Sequence, residues 1–509
     1  MARYAAVDIG SNSVRMLAAE VIPGQPWQTL AIDREVTRIG ASVFETGTIS
    51  VEAMDHVGLV LRRFAQMWSK LDVIAVRAVA TSAVRDASNG VAFVERASAD
   101  LGVPVEIISG QEEARLIYQG VQSRWPQPDG RFLIIDVGGG SAEFIVGEDG
   151  DLVEGISRPL GAVRLTESFL QTDPPDQAAL HQMTQFIDEK FLPVRKRLQG
   201  DKFDRVIATS ATAAAIVSAI NHIDRLERDQ ADRLRARTSQ IRKLYRLLSG
   251  SDLAMRRRVN GIGPRRAEII VAGVAVFLRV MEELGLKSMS YSAAGVRDGI
   301  IADLSARGVG RELTRLSRQQ LGVVEEMCRR FQVNIKYARH IADLTSELFD
   351  GLQPLHRLPP ATGRLLQAAS YLHDTGHFVG GTGHHKHSAY LVSNSDLPGF
   401  TDVERKLIAL LCRFHRKSMP QSRHDNYRSL TPEHRRTIQL LAPLLRLAVA
   451  LNTSQQQRVD EIHCQVTSQN AVIRVEAHGD CSLELWASER VADIFRQVYD
   501  VPLIIEGLR

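Results

Sequence analysis

Two short segments carry residue types suited to phosphate chemistry, Asp8-Ile-Gly-Ser-Asn-Ser13 and Asp136-Val-Gly-Gly-Gly-Ser141. In each, an acid is followed two residues later by glycine and then by hydroxyl or amide side chains. Glycine has no Cβ, so backbone N–H groups at Gly10, Gly138, Gly139 and Gly140 can approach phosphate oxygens, and a turn aims them inward. Ser11, Asn12, Ser13 and Ser141 add side-chain donors. A leading carboxylate such as Asp8 or Asp136 suits Mg²⁺, which takes carboxylates, water and substrate phosphates. One glycine turn is more often only a turn; two at matching places in a chain point to a phosphate site.

The elements that must hold these turns are strands alternating with helices, the pattern of an α/β fold. Residues 4–9, 14–21, 72–79 and 103–108 read as strands, and 52–69, 89–100 and 111–121 as helices. A Pro/Gly connector from Trp125 to Gly130 marks a boundary. A second cycle then begins, with strands at 131–135, 142–146 and 203–208, and Thr209-Ser210 closes the last of them. The repeated strand, Asp-x-Gly turn and strand predict two related halves. From about residue 308 to 454 the chain reads as helical. Beyond it, 471–476, 482–486 and 502–506 read as strands and 489–498 as a helix. The segments expected are therefore 1–125, 126–307, 308–455 and 456–509.

A chain of 509 residues exceeds what one core usually organises. Its 44% apolar and 24% charged fractions are those of an ordinary globular protein. The net charge of +4 is compatible with an anionic partner and equally with plain solubility. Basic clusters at 225–266 and 413–436 read either as a path for a polyanion or as solvated helix faces, and no nucleic-acid partner is expected. The four cysteines, Cys328, Cys412, Cys464 and Cys481, form no CxxC pair, which suits a reducing compartment. The start lacks a signal-peptide pattern, and no run of about 18 apolar residues occurs, so a cytoplasmic chain without a membrane span is expected.

DIGSNSVRM, ATSAVRDASN (80–89), ISGQEEARLIYQG (108–120), DVGGGSAEF and PLGAVRLTE (159–167) together resemble the exopolyphosphatase / guanosine pentaphosphate phosphatase family. RRAEIIVAG (265–273) and YSAAGVRDG (291–299) extend the likeness across the first 300 or so residues. The resemblance implies two actin/Hsp70-like (ribonuclease H-like) domains. It also implies Mg²⁺, with Mn²⁺ as the alternative and a monovalent cation as a further candidate. Glu113 matches the family's general base, and Asp8, Asp136 and Glu143 its metal-site carboxylates. Arg85 matches a phosphate-binding arginine. Without the resemblance, Glu112 competes with Glu113, and both read equally well as acids favouring a helix N-terminus.

One motif departs from the family. Its third phosphate-facing turn is usually glycine-rich, whereas here it reads Ala208-Thr209-Ser210-Ala211-Thr212. The two methyl groups are expected to narrow the nucleotide side of the cleft, or to be a harmless variation. Residues 318–454 resemble the HD-type helical domain of the long bacterial exopolyphosphatases, and 388–399 match that form closely. His340, His373, Asp374, His384, His385, His387 and His415 look like metal-ligand material. Val449 stands where a working HD site has a late aspartate, which argues against a second hydrolytic centre. His385, Lys386, His387, Arg413, Arg416 and Lys417 are then expected as a basic wall that guides polyphosphate.

The expectation is Mg²⁺-dependent removal of terminal phosphate from inorganic polyphosphate, the chain being threaded between the actin-like and helical domains. The alternative at the same site is hydrolysis of guanosine pentaphosphate (pppGpp). A non-hydrolytic ATP-binding regulator and an HD-type nucleotide hydrolase are the remaining readings. A homodimer is expected from the resemblance alone.

Overall fold

A computed structural model describes residues 1–507 other than 23, 128, 308–313 and 468, with the backbone alone at 226, 228 and 229. The expected boundary at 308 lies outside the described residues. The chain forms two compact units, residues 1–309 and 310–509.

Unit 1 contains two sheets built on one plan. In the first, β1 (Ala2–Ile9), β2 (Val14–Val21), β3 (Gln28–Glu35), β4 (Ala75–Ala80) and β5 (Val105–Ile107) lie in the order β3-β2-β1-β4-β5. In the second, β6 (Arg131–Val137), β7 (Ala142–Glu148), β8 (Asp151–Arg158), β9 (Arg205–Thr209), β10 (Arg235–Arg237) and β11 (Ser288–Tyr291) lie in the order β10-β11-β9-β6-β7-β8. Leaving out β10, the second order repeats the first. Both open with an antiparallel hairpin, β1–β2 and β6–β7, and both continue through a parallel crossover, β1–β4 and β6–β9. The expected duplication is therefore present in the topology, and the actin-like α/β class holds.

The central strands are buried on both faces, as runs such as Phe132–Val137 require. β3 and β8, absent from the sequence reading, alternate half-buried and exposed positions and carry charges, as sheet edges do.

Unit 2 joins helices Arg318–Arg330, Ile335–Gly351, Gly363–Leu372, His384–Ser393, Asp402–Phe414 and Pro432–Ala450 to a small sheet. That sheet has the order β12 (Val459–Val466), β13 (Ala471–Ala477), β14 (Leu503–Gly507). One apolar core runs through both parts, from Val324 and Leu348 to Val459 and Ile473. Residues 482–486, expected as a strand, begin the helix Ser482–Glu489. Its buried positions are Glu484 and Ser488, one helical turn apart. The Glu484 carboxylate accepts the Ser454 amide at 3.0 Å, which holds that face inward. No helix among the described residues is long and apolar enough to cross a membrane.

Candidate active site

Asp8 and Asp136 occupy the same place, one residue before the end of β1 and β6. The turn after each closes identically: Gly10 N–H donates to Ser13 C=O at 3.1 Å, and Gly138 N–H to Ser141 C=O at 3.0 Å. The second loop is fixed by the helix that follows β8, Ala162–Phe169. Its first amides, those of Ala162 and Val163, donate to Gly138 and Gly139 C=O at 3.0 and 2.8 Å, and Arg164 Nε donates to Gly140 C=O at 2.8 Å. Because N–H and C=O of a peptide point opposite ways, spending the carbonyls on the helix turns the loop amides to the cavity.

The two loops meet. A Cβ at Gly139 would lie 3.0 Å from Ser11 Cβ, and one at Gly140 would lie 2.6 and 2.7 Å from the Ser82 and Ser11 hydroxyls. Glycine is required here by the close approach of the two loops rather than by backbone conformation. Arg164 reaches the same seam: its guanidinium stacks 4.0 Å from the Phe44 ring centroid and pairs with Asp86.

Between the loops lies a cavity of about 280 Å³, lined by Asp8, Asp136, Glu113, both glycine turns, Thr209, Ser210 and Ala211. Glu143 stands opposite Asp136 across β6–β7 and is buried behind it, where Ser157 Oγ donates to its Oε1 at 2.7 Å. Thr209 Oγ1 donates to Asp136. Four arginines complete the lining, Arg15, Arg34, Arg266 and Arg297. Arg15 and Arg297 lie inside the DIGSNSVRM and YSAAGVRDG motifs, yet no sequence signal assigned them to the site. Arg85 is not among the lining residues: it donates to Ile108 C=O at 2.7 Å and stands 3.7 Å from Glu113 Oε2.

The electrostatics separate two adjacent acids. The helix Gly110–Arg124 starts at Ser109, whose hydroxyl accepts Glu112 N–H at 3.2 Å, an N-cap worth about 1 kcal/mol. Glu112 turns away from the cavity. It accepts Arg115 Nε at 2.7 Å and Arg77 Nη2 at 3.0 Å, in a buried network with Asp303. Burial raises its carboxyl, but Arg115 and Arg77 outweigh burial and hold it below the usual carboxylate value. Glu113 faces the cavity, and its buried Oε2 has no hydrogen-bond partner. Burial, then the Glu143 charge, raise it well above the usual value despite Arg85. Burial also raises Asp8 and Asp136, and burial with the Asp136 charge pushes Glu143 up to about 8.

Asp8, Glu113, Asp136 and Glu143 are carboxyl groups held away from water, of which those at the cavity could hold a cation. Oxygen-only donors suit Mg²⁺ rather than a softer metal. A family model of Ppx/GppA phosphatases matches residues 18–307, and a model of the family's domain III matches 320–485.

The chain belongs to the Ppx/GppA phosphatase family.

It is a hydrolase. The Ppx/GppA enzyme of Aquifex aeolicus is similar at 28% identity, covering 60% of this chain and 99% of its own, with a TM-score of 0.52. An exopolyphosphatase from Cytophaga hutchinsonii is 25% identical, covering 59% and 96%, with a TM-score of 0.55. An exopolyphosphatase-like protein is 27% identical over 59% and 97%, with a TM-score of 0.56.

The third turn differs from its expected shape. Ala211 lines the cavity, whereas Ala208 is buried within β9, its carbonyl accepting Ser292 N–H at 2.9 Å, and forms no part of the wall. Ser210 takes a left-handed φ of 88°, and its hydroxyl accepts Thr212 and Ala213 N–H at 3.2 and 3.3 Å.

In unit 2 the expected basic wall divides. Lys386 and Arg413 border a cavity of about 650 Å³ with Arg405, Lys406 and His424. His385 is buried instead, its Nδ1 without a partner, while Arg416 lies against the His384 ring. Lys417 is exposed in a left-handed turn (φ 62°) whose carbonyl accepts from Arg446, and His387 is half-buried. His340 faces Asp343, Asp460 and His478; from the same helix it is Tyr337 that meets His373, its hydroxyl 3.4 Å from Nε2. Val449 packs against the apolar core.

Proposed function

We propose that the protein is an exopolyphosphatase, hydrolysing the terminal phosphate of inorganic polyphosphate in the cavity between the two glycine loops. The observation that carries this reading is Glu113, a buried carboxyl group facing that cavity whose Oε2 makes no hydrogen bond and has Arg85 3.7 Å away. A site built only for binding has no use for such a group. Asp8 and Asp136 would hold Mg²⁺, with Glu143 behind them, and the ion would neutralise charge on the phosphoryl oxygens.

The chain's own residues perform the rest. Loop amides and the hydroxyls of Ser11, Ser13, Ser141 and Thr209 orient the terminal phosphoryl group. Glu113 accepts a proton from the attacking water as its oxygen bonds to phosphorus. The P–O bond to the rest of the chain breaks, releasing inorganic phosphate and a chain one unit shorter. Arg15, Arg34, Arg266 and Arg297 face the residual phosphates, each of which carries charge that a guanidinium matches well.

Four arginines and the Ala211 methyl group around a small cavity favour a bare phosphate chain over a purine nucleotide. Phosphate release from long-chain polyphosphate and from pppGpp, measured side by side with Mg²⁺ varied, tests both parts. Mg²⁺-dependent release faster on polyphosphate is expected. Release from pppGpp alone would assign the site to the nucleotide, and no release from either would end the reading.

A further inference from the structure

Unit 2 holds a cluster of imidazoles that the proposed reaction does not use. Asp374, His377 and His384 bring one carboxylate oxygen and two ring nitrogens within 4.8 Å of one another. His377 Nε2 and His384 Nε2 each stand 3.6 Å from Asp374 Oδ1, and His415 Nε2 stands 3.4 Å from His384 Nε2. His377 was absent from the expected ligands, although its spacing from Asp374 was visible in the sequence.

A hydrogen bond fixes which His415 nitrogen carries a lone pair. His415 Nδ1 lies 2.7 Å from Cys412 C=O and His384 Nδ1 3.3 Å from Gly381 C=O, in each case the carbonyl three residues back. A carbonyl only accepts, so His415 Nδ1 donates and its Nε2 presents a lone pair. His384 also has the Arg416 guanidinium, a donor only, within 3.2 and 3.3 Å of its two nitrogens. His415 Nε2 points that lone pair at His384 Nε2, 3.4 Å away. Imidazoles held by Nδ1–H to a backbone carbonyl, with Nε2 converging beside a carboxylate, have the outer-shell arrangement of metal-binding histidines. The separations fit as well: metal–ligand bonds of about 2.0–2.1 Å in a tetrahedron place ligands about 3.3–3.4 Å apart. His373 falls outside this group, and its Nε2 faces the Tyr337 hydroxyl at 3.4 Å.

We infer that Asp374, His377 and His384 bind one divalent transition metal ion of the zinc type, with His415 Nε2 beside His384. Two imidazoles and a carboxylate suit zinc or cobalt and not Mg²⁺. The ion ties the turn Thr375–Phe378 to the helix His384–Ser393. One group opposes it: Arg416 Nη1 lies 3.2 and 3.3 Å from the two His384 nitrogens and must swing outward, which its exposure permits.

The test uses the full chain, stripped with a chelator and titrated with Co²⁺ in excess Mg²⁺. One equivalent of Co²⁺ giving visible d–d absorption, displaced by Zn²⁺, is expected. His384→Gln removes it. His377→Gln, at an exposed position that spares the fold, weakens it by about 10–100-fold. Arg416→Gln tightens it, and Asp136→Asn, in the phosphohydrolase site, leaves it unchanged. No stoichiometric Co²⁺ on the wild type, or binding unaffected by His377→Gln and His384→Gln, overturns the assignment. Loss of the band in Asp136→Asn would place the ion in unit 1 and overturn it equally.

Discussion

Glu112 and Glu113 are consecutive on the first turn of one helix, both buried, and meet opposite surroundings: Arg77 and Arg115 grip the first, while Glu143 repels the second. Substitution should therefore separate them. Glu113→Gln is expected to lower phosphate release by about 10²–10⁴-fold with the fold intact, since it removes one of several mutually repelling acids. Glu112→Gln leaves two buried guanidinium groups short of a partner and should cost about 3 kcal/mol of stability. Its activity loss should follow its unfolding. Phosphate-release kinetics beside urea unfolding of both variants decide between these outcomes.

The crowded carboxyl groups also set a pH dependence. Glu143 has a usual value of 4.5 and is pushed up to about 8 in the fold. Between those values the folded chain binds more protons than the unfolded one, so stability falls as pH rises through that window. Urea unfolding of chelator-treated protein should show the decline, Mg²⁺ should lessen it, and Glu143→Gln should flatten it. At the acid end the sign reverses. Glu112 and Asp303 are held below their usual values, so the stability they contribute is lost as pH falls below about 4.

Gly161 supports the second phosphate loop from behind. A Cβ there would lie 2.3 Å from Gly139 C and O and from Gly140 N, all backbone atoms that cannot rotate aside. Gly161→Ala should displace the loop, and a shift of about 1 Å at a reacting group costs about 10²-fold in rate. Circular dichroism should stay near wild type while phosphate release collapses. A variant with unimpaired release would show that the loop does not orient the phosphoryl group.

What the sequence reveals here follows the range of the interactions. The two Asp-x-Gly turns were legible because strand, turn and glycine are local signals, and the structure builds them alike to the hydrogen bond. β3 and β8 were not, since sheet edges such as Gln28–Glu35 carry the charges of a loop. The choice between Glu112 and Glu113 needed Arg77 and Asp303, which lie 35 and 191 positions from Glu112 in sequence. Arg15 and Arg297 stood inside recognised motifs, but only the assembled cavity shows that they face one ligand. Likewise the histidines of unit 2 were visible as a group, while the convergence of Asp374, His377 and His384, with Tyr337 on His373, depends on packing.

The third turn tests substrate choice directly. Ala211 borders the cavity and Ala208 does not, so the two alanines should behave differently. Ala211→Gly removes a methyl group from the wall and should raise the kcat/KM ratio of pppGpp to polyphosphate by a few-fold, the scale of a small change in a pocket. Ala208→Gly, inside β9, should leave that ratio alone and lower stability by about 1 kcal/mol, the conformational cost of glycine in a strand. Kinetics on both substrates with each variant give the comparison. An equal shift from both would mean that the turn acts through backbone flexibility, and no shift from Ala211→Gly would remove that methyl group from the account of specificity.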